Sequence, residues 1–190
     1  MNIPNLLTFF RILLIPVLVV VYCLPVTWSH TVAALIFFIA GFTDWLDGYL
    51  ARNLKQNTRF GAFLDPIADK LLVTVGLVLV VGKIGGVYLA IPAAIIIGRE
   101  IAISGLREWM AEIGKRAHVA VGQLGKIKTA MQMLALLLLL FYQPETGYFF
   151  MVIKVLGLIS LYLAAALTLW SLFIYLKAAW SDLTSSVNKE

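Results

Sequence analysis

Six stretches of mostly apolar residues alternate with short polar segments along this chain. They run at about Pro4 to Leu24, His30 to Ala51, Phe60 to Val81, Val87 to Met110, Gln123 to Tyr142 and Phe149 to Lys177. A helix needs ~20 predominantly apolar residues to cross the hydrocarbon core of a bilayer. The pattern therefore predicts an all-α, polytopic membrane protein with six transmembrane helices. The last stretch is long enough to tilt, or to continue as helix beyond the bilayer. No Ser-, Gly- or Pro-rich segment divides the chain, and there is no repeat or low-complexity tract, so residues 1–190 are expected to form a single membrane domain.

Composition agrees with the pattern. Hydrophobic residues make up 62% of the chain and charged residues 13%, with mean hydropathy +0.95. Soluble domains keep roughly a quarter of their residues charged, so most of this surface must meet lipid. Met1 to Leu13 has neither a basic n-region nor a small-residue cleavage site, and no removable signal peptide is expected. The lone Cys23 excludes an internal disulfide framework and a cysteine-based metal site.

The net charge of +5 does not indicate nucleic acid, because the basic residues sit between the apolar stretches. Arg52, Lys55 and Arg59 separate the second and third; Lys115, Arg116 and Lys126 separate the fourth and fifth; Lys177 and Lys189 follow the last. The opposite loops carry only Lys83. Cytoplasmic loops of membrane proteins hold the excess of Lys and Arg, so both termini are expected in the cytoplasm.

The acids occupy unexpected places. Asp44 and Asp47 lie inside the second apolar stretch, Asp65 and Asp69 inside the third. Each charge near a bilayer centre costs at least ~2.5–3.5 kcal/mol, so the four need a polar cavity and cations. At ~100° per residue, Asp44 and Asp47 are ~60° apart around a helix, and Asp65 and Asp69 ~40° apart. Each pair forms one stripe. Gly48 and Ala51 lie close to the first stripe with Arg52 at its edge, and Gly61 lies one turn before Asp65. Small residues beside the acids leave room for a large group. Carboxylates without His or Cys partners suit a hard cation such as Mg²⁺ or Mn²⁺. Two such ions ~3.5–4 Å apart serve phosphoryl and nucleotidyl chemistry, and Arg52 is placed to meet a phosphate oxygen. Acids that pair with intramembrane Arg or Lys to hold helices together, or that serve ion-coupled transport, are the other readings. Neither gives a reason for Gly48, Ala51 and Arg52 to accompany the acids.

The run Asp44-Trp-Leu-Asp47-Gly48-Tyr-Leu-Ala51-Arg52, followed after eight residues by Gly61-Ala-Phe-Leu-Asp65-Pro-Ile-Ala-Asp69, resembles the signature of the CDP-alcohol phosphatidyltransferases. That signature is D-x-x-D-G-x-x-A-R, then G-x-x-x-D-x-x-x-D, and all eight specified positions match. The resemblance implies a cavity facing the cytoplasm, a homodimer and phosphatidyl transfer from CDP-diacylglycerol. It also implies roles. Asp44, Asp47 and Asp65 are the expected ligands of two divalent cations, Mg²⁺ or Mn²⁺, with Asp69 both a ligand and the general base. Gly48, Ala51, Arg52, Thr58 and Gly61, with Asn5 and Thr8 from the N-terminal segment, are expected against CDP-diacylglycerol.

The acceptor is to be read from the second half of the chain. Arg99, Arg107, Lys115, Lys126 and Lys128, with Arg11 added from the first stretch, make a basic ring that suits a phosphorylated alcohol. Arg99 lies about as deep as the aspartates. Glu100, its chain neighbour, is expected to lie too close in sequence to share its face, which leaves the aspartates or a substrate phosphate as partner. The segments Asn2 to Thr8, Thr58 to Pro66, Arg99 to Glu112 and Gly125 to Thr129 resemble the branch of the family that uses sn-glycerol 3-phosphate. That resemblance implies phosphatidylglycerol phosphate and CMP as products, and a bacterial cytoplasmic membrane as the location.

Overall fold

Lipid offers no partners to backbone N–H and C=O groups, so a chain this apolar must close its hydrogen bonds within helices. The computed structural model describes residues 3–54, 59–112, 123–144 and 147–187. Within these, the side chains at 3, 4, 45, 47, 49–54, 59, 62, 123, 124 and 178–187 lie outside the description. Six helices form: α1 (Ile3–Cys23), α2 (Ser29–Leu54), α3 (Arg59–Ile84), α4 (Val87–Glu112), α5 (Gln123–Phe141) and α6 (Gly147–Val187). Each covers one of the six apolar stretches to within a residue, and the described residues include no strand. The protein is all-helical and polytopic in a membrane.

Among the described residues, three helices are long and apolar enough to cross a membrane by length and composition: Asn5–Cys23, Val87–Glu112 and Gly147–Lys177. In α2 the qualifying apolar segment is the shorter Ser29–Asp44. What interrupts the apolar run is the charge the helices carry. Asp44 and Asp47 fall within α2, Asp65, Asp69 and Lys70 within α3, and Lys126 and Lys128 open α5. The least lipid-like helices are those bearing the candidate chemistry. The 41 residues of α6 correspond at 1.5 Å per residue to ~60 Å, about twice a ~30 Å hydrocarbon core. This is the extension beyond a single span that its length predicts.

Helix α1 packs along α2 and α3, α5 along α6 and α2, and α4 joins α6 to α3. The shared core includes Leu18, Tyr22, Phe37, Leu77, Ile96, Leu136, Leu140 and Leu161. Outside it, Leu13, Val20, Val78, Ile101, Phe149, Trp170 and Phe173 are exposed. Apolar side chains spread over so much of the surface are expected of a protein solvated by lipid.

The turn between α3 and α4 is made by Gly85 and Gly86, with φ of 75° and 92°. That left-handed backbone favours glycine. At Gly86 a β-carbon would also strike the Tyr88 ring. Near this end, remote from the aspartates, Lys83 Nζ donates to the Tyr22 carbonyl at 2.6 Å and lies 4.7 Å from the centre of the Tyr22 ring. Tyr22 meets His30 edge-on at 5.2 Å, and His30 Nδ1 lies 3.3 Å from the Leu140 carbonyl oxygen. These contacts tie α1, α2, α3 and α5 together at that end.

Candidate active site

The opposite end holds the acids. Asp44 of α2 and Asp65 and Asp69 of α3 converge on one face of α1. Arg11 Nη1 donates to Asp69 Oδ1 at 2.6 Å and lies 3.0 Å from Asp44 Oδ1. The Thr8 hydroxyl, one turn earlier on α1, donates to Asp65 Oδ1. Arg11 is fully buried, whereas the Asp44 and Asp69 side chains remain about half exposed. A buried guanidinium is costly unless paired; here two carboxylates meet on one of its nitrogens. Asp44 of the first acidic stripe and Asp69 of the second thus meet at one guanidinium. Arg11, expected in the basic ring around the acceptor, lies instead inside the aspartate cluster.

Pro66 stands within α3 beside Asp65. It lacks the N–H that would bond one turn back, and its ring crowds that carbonyl. The helix is thus locally relieved of one backbone bond where the carboxylates gather. Asn5 and Thr8 are buried on the same part of α1, Gly61 is buried at the start of α3, and Gly48 is exposed on α2. Asp47, Ala51 and Arg52 follow Asp44 along α2, with side chains outside the described set. Thr58 and Lys115 lie outside the described residues altogether.

A cavity of about 240 Å³ opens beside Asp69. Pro66, Asp69, Lys70 and Val73 of α3 line it, with Glu100 of α4 and Lys128, Thr129 and Gln132 of α5. Lys128 is buried, so its ammonium needs a partner: Lys128 Nζ donates to Glu100 Oε1 at 2.8 Å. Arg99 Nη1 donates to the same oxygen at 2.7 Å, and Arg99 Nη2 to Ser171 Oγ at 3.1 Å. This corrects the expectation that Glu100 lies too close in sequence to serve Arg99. Neighbouring residues leave a helix ~100° apart, but the two side chains are long enough to meet beside it.

The other basic residues sit elsewhere. Arg107 is exposed, donates to the Tyr175 hydroxyl at 2.9 Å and lies over the Tyr175 ring. Lys126 is exposed and lines a groove between α5 and its surroundings, not the Asp69 cavity. Of the six basic residues assigned to the acceptor, the structure brings Lys128 to this cavity and Arg99 to its Glu100 wall. Sequence reasoning missed Glu100, Lys70, Thr129 and Gln132. The signals were present: Lys128 and Gln132 share a face at i, i+4, and Lys70 follows Asp69 directly.

A second, apolar groove of about 420 Å³ runs between α2 and α5, lined by Phe37, Phe38, Gly41 and Phe42 on one side and Ala130, Met133, Leu134 and Leu137 on the other. It shares Ala130 and Met133 with the space of about 390 Å³ lined by Gly125, Lys126 and Thr129. Thr129 in turn borders the Asp69 cavity. The Asp69 cavity and the apolar groove thus meet along one face of α5.

The donor set is all oxygen, the chemistry a hard divalent cation requires. Arg11 engages one oxygen on each of two carboxylates. Among the described residues no group of three acidic, His or Cys side chains is spaced to hold one ion.

Comparison with known proteins places this arrangement. The model of the CDP-alcohol phosphatidyltransferase family matches residues 1–176. The chain is 54% identical over 182 residues to a Pectobacterium atrosepticum protein named CDP-diacylglycerol–glycerol-3-phosphate 3-phosphatidyltransferase, covering 96% of this chain and 97% of that one. Proteins of the same name from Escherichia coli K12, at 54% identity over 182 residues, and from Yersinia pestis, at 53% over 183 residues, are equally well covered. The matched span contains the whole Asp44–Asp69 motif and the helices that shape its cavity. This chain belongs to the CDP-alcohol phosphatidyltransferase family, and is a membrane-embedded transferase of phospholipid biosynthesis.

Proposed function

We propose that this enzyme transfers the phosphatidyl group of CDP-diacylglycerol to sn-glycerol 3-phosphate, giving phosphatidylglycerol phosphate and CMP. The observation that carries the reading is the shared cavity: a carboxylate at Asp69 and an ammonium at Lys128 border the same small space. An acceptor with a hydroxyl at one end and a phosphate at the other needs that pair. The names of the 54% identical relatives agree with it.

In this reading Asp69 takes the proton from the 1-hydroxyl of glycerol 3-phosphate, while Lys128 holds the acceptor phosphate. The freed oxygen attacks the phosphorus that bears diacylglycerol. A new P–O bond forms, the bond to CMP breaks, and CMP leaves with the electron pair. Gly48, Ala51, Arg52, Thr58, Gly61, Asn5 and Thr8 are assigned to the donor, with Arg52 on its diphosphate. Asp44, Asp47, Asp65 and Asp69 would hold two divalent cations, Mg²⁺ or Mn²⁺, which when bound supply neutralising charge to the diphosphate. Arg11 orients Asp44 and Asp69 from within the cluster. The apolar groove between α2 and α5 suits the acyl chains of a lipid donor that has its polar head at the aspartates.

The six helices are assigned as six spans of a bacterial cytoplasmic membrane, the cavity and both termini on the cytoplasmic side and the protein a homodimer. The decisive assay offers purified protein with labelled CDP-diacylglycerol to glycerol 3-phosphate, phosphatidylglycerol, serine and inositol phosphate in turn. Labelled phosphatidylglycerol phosphate formed with release of CMP, from the first acceptor alone, is the expected result. Equal or better turnover with another alcohol would overturn the acceptor assignment and leave the family chemistry intact.

A further inference from the structure

A carboxylate beside the pocket of an anionic acceptor is unfavourable unless it organises something. Glu100 lines the Asp69 cavity from α4, across from the aspartates. Its Oε1 receives Lys128 Nζ at 2.8 Å and Arg99 Nη1 at 2.7 Å. Its backbone carbonyl receives the Ser104 hydroxyl at 2.7 Å, and that hydroxyl oxygen accepts from Lys70 Nζ at the cavity's edge. Two cations beside the cavity are thus gathered on one carboxylate oxygen, while Lys70 is held by Ser104.

We propose that Glu100 is a positioning residue for the acceptor: it holds Lys128 and Arg99 where an incoming phosphate must find them. The inference rests on the assignment of this cavity to a phosphorylated alcohol. The physical reasons are two. Lys128 and Arg99 are both largely buried, with side-chain exposures of 7% and 11%, and without an anion between them they would repel and swing apart. An ammonium has three donors, and Glu100 takes one, so Lys128 keeps donors for a phosphate without leaving its place. Ser171 accepts from the other arm of Arg99 and fixes the guanidinium from α6, while Glu100 joins α4 to α5 through Lys128.

A residue that acts in this way should affect the acceptor's KM and not the donor's. In purified full-length enzyme, Glu100→Gln should raise the acceptor KM by about tenfold or more, with the CDP-diacylglycerol KM changed by less than about twofold. Glu100→Asp, which keeps the charge on a shorter stem, should recover part of the loss. The double variant Glu100→Gln, Lys128→Met should be worse for the acceptor than Lys128→Met alone by much less than the Glu100→Gln factor, the remainder being the part Glu100 exerts through Arg99. Effects that multiply in the double variant, or equal shifts in both KM values, would overturn the proposal. The acceptor is first identified with wild-type enzyme. If that acceptor proves to be another phosphorylated alcohol, the same split measured on it supports the role of Glu100 while the glycerol 3-phosphate reading falls. A wild-type acceptor that carries no phosphate overturns both.

Discussion

At the level of single side chains, the site is a balance of charges within the bundle. Arg11 satisfies Asp44 and Asp69 together, while Glu100 satisfies Arg99 and Lys128 together. Between these two networks lies the Asp69 cavity, so Asp69 belongs both to the acid cluster and to the space where an acceptor fits. Asp69→Asn keeps the shape and removes the base; turnover should fall by about 10²–10⁴-fold, with CDP-diacylglycerol binding retained. Near-wild-type activity of the purified variant would exclude Asp69 as the base. The all-oxygen donor set leads to a separate expectation. Chelation should abolish CMP release, and added Mg²⁺ or Mn²⁺ should restore it; Mn²⁺ binding followed by electron paramagnetic resonance should weaken in Asp44→Asn. Activity that persists in excess chelator would remove metals from the assignment. Position also separates the basic residues. Lys128→Ala should raise the KM for glycerol 3-phosphate by about tenfold or more, and Arg107→Ala should raise it less, because Arg107 packs on Tyr175 away from the cavity. A larger effect at Arg107 would relocate the acceptor.

Among the helices, two kinds of contact hold the site in place: charge networks near the aspartates and close apolar packing elsewhere. At Gly157 of α6 a β-carbon would come within 2.8 Å of Leu139 Cγ and 3.0 Å of its Cδ2 on α5. Small residues at such crossings let helices approach in lipid, where packing replaces the hydrophobic drive. Gly157→Leu should therefore force α5 and α6 apart and cost about 1–3 kcal/mol, as overpacking does. Its thermal midpoint in detergent should fall, whereas Gly82→Ala, facing open space, should change it far less; equal midpoints for the two would discard the close approach. The helices themselves were legible in the sequence because span length is set by the bilayer and not by partners. That each acid pair forms one stripe was legible too, because helical spacing fixes which residues share a face. What periodicity could not supply was which neighbour each stripe meets. Arg11 therefore read as one more basic residue near the cytoplasmic surface, although α1 packs against both α2 and α3 and delivers it to the acids. Glu100 was lost for a related reason: angular spacing describes where side chains leave the helix, not how far two long ones can bend.

For the molecule as a whole, the acids and the Lys83–Tyr22–His30 cluster lie at opposite ends of the same helices, so the bundle is polar in its chemistry from end to end. A soluble acceptor and a soluble CMP must reach the aspartates from water, while the lipid donor must enter from the side. In the proposed orientation, the excess of Lys and Arg around the α2–α3 and α4–α5 connections faces the cytoplasm together with the aspartate end. Cys23 closes α1 at the other end, is exposed, and is the chain's one cysteine. It is therefore a built-in reporter of orientation that requires no substitution. A membrane-impermeant maleimide applied to intact spheroplasts should label Cys23, and the same reagent applied to sealed inside-out vesicles should not until detergent is added. Labelling in the reverse order would put the aspartate cavity on the outer side, away from the cytosolic pools of a phosphorylated acceptor. The positive-inside assignment and the proposed substrate would then fail together, because a cavity that opens outward has no supply of either glycerol 3-phosphate or a route to return CMP.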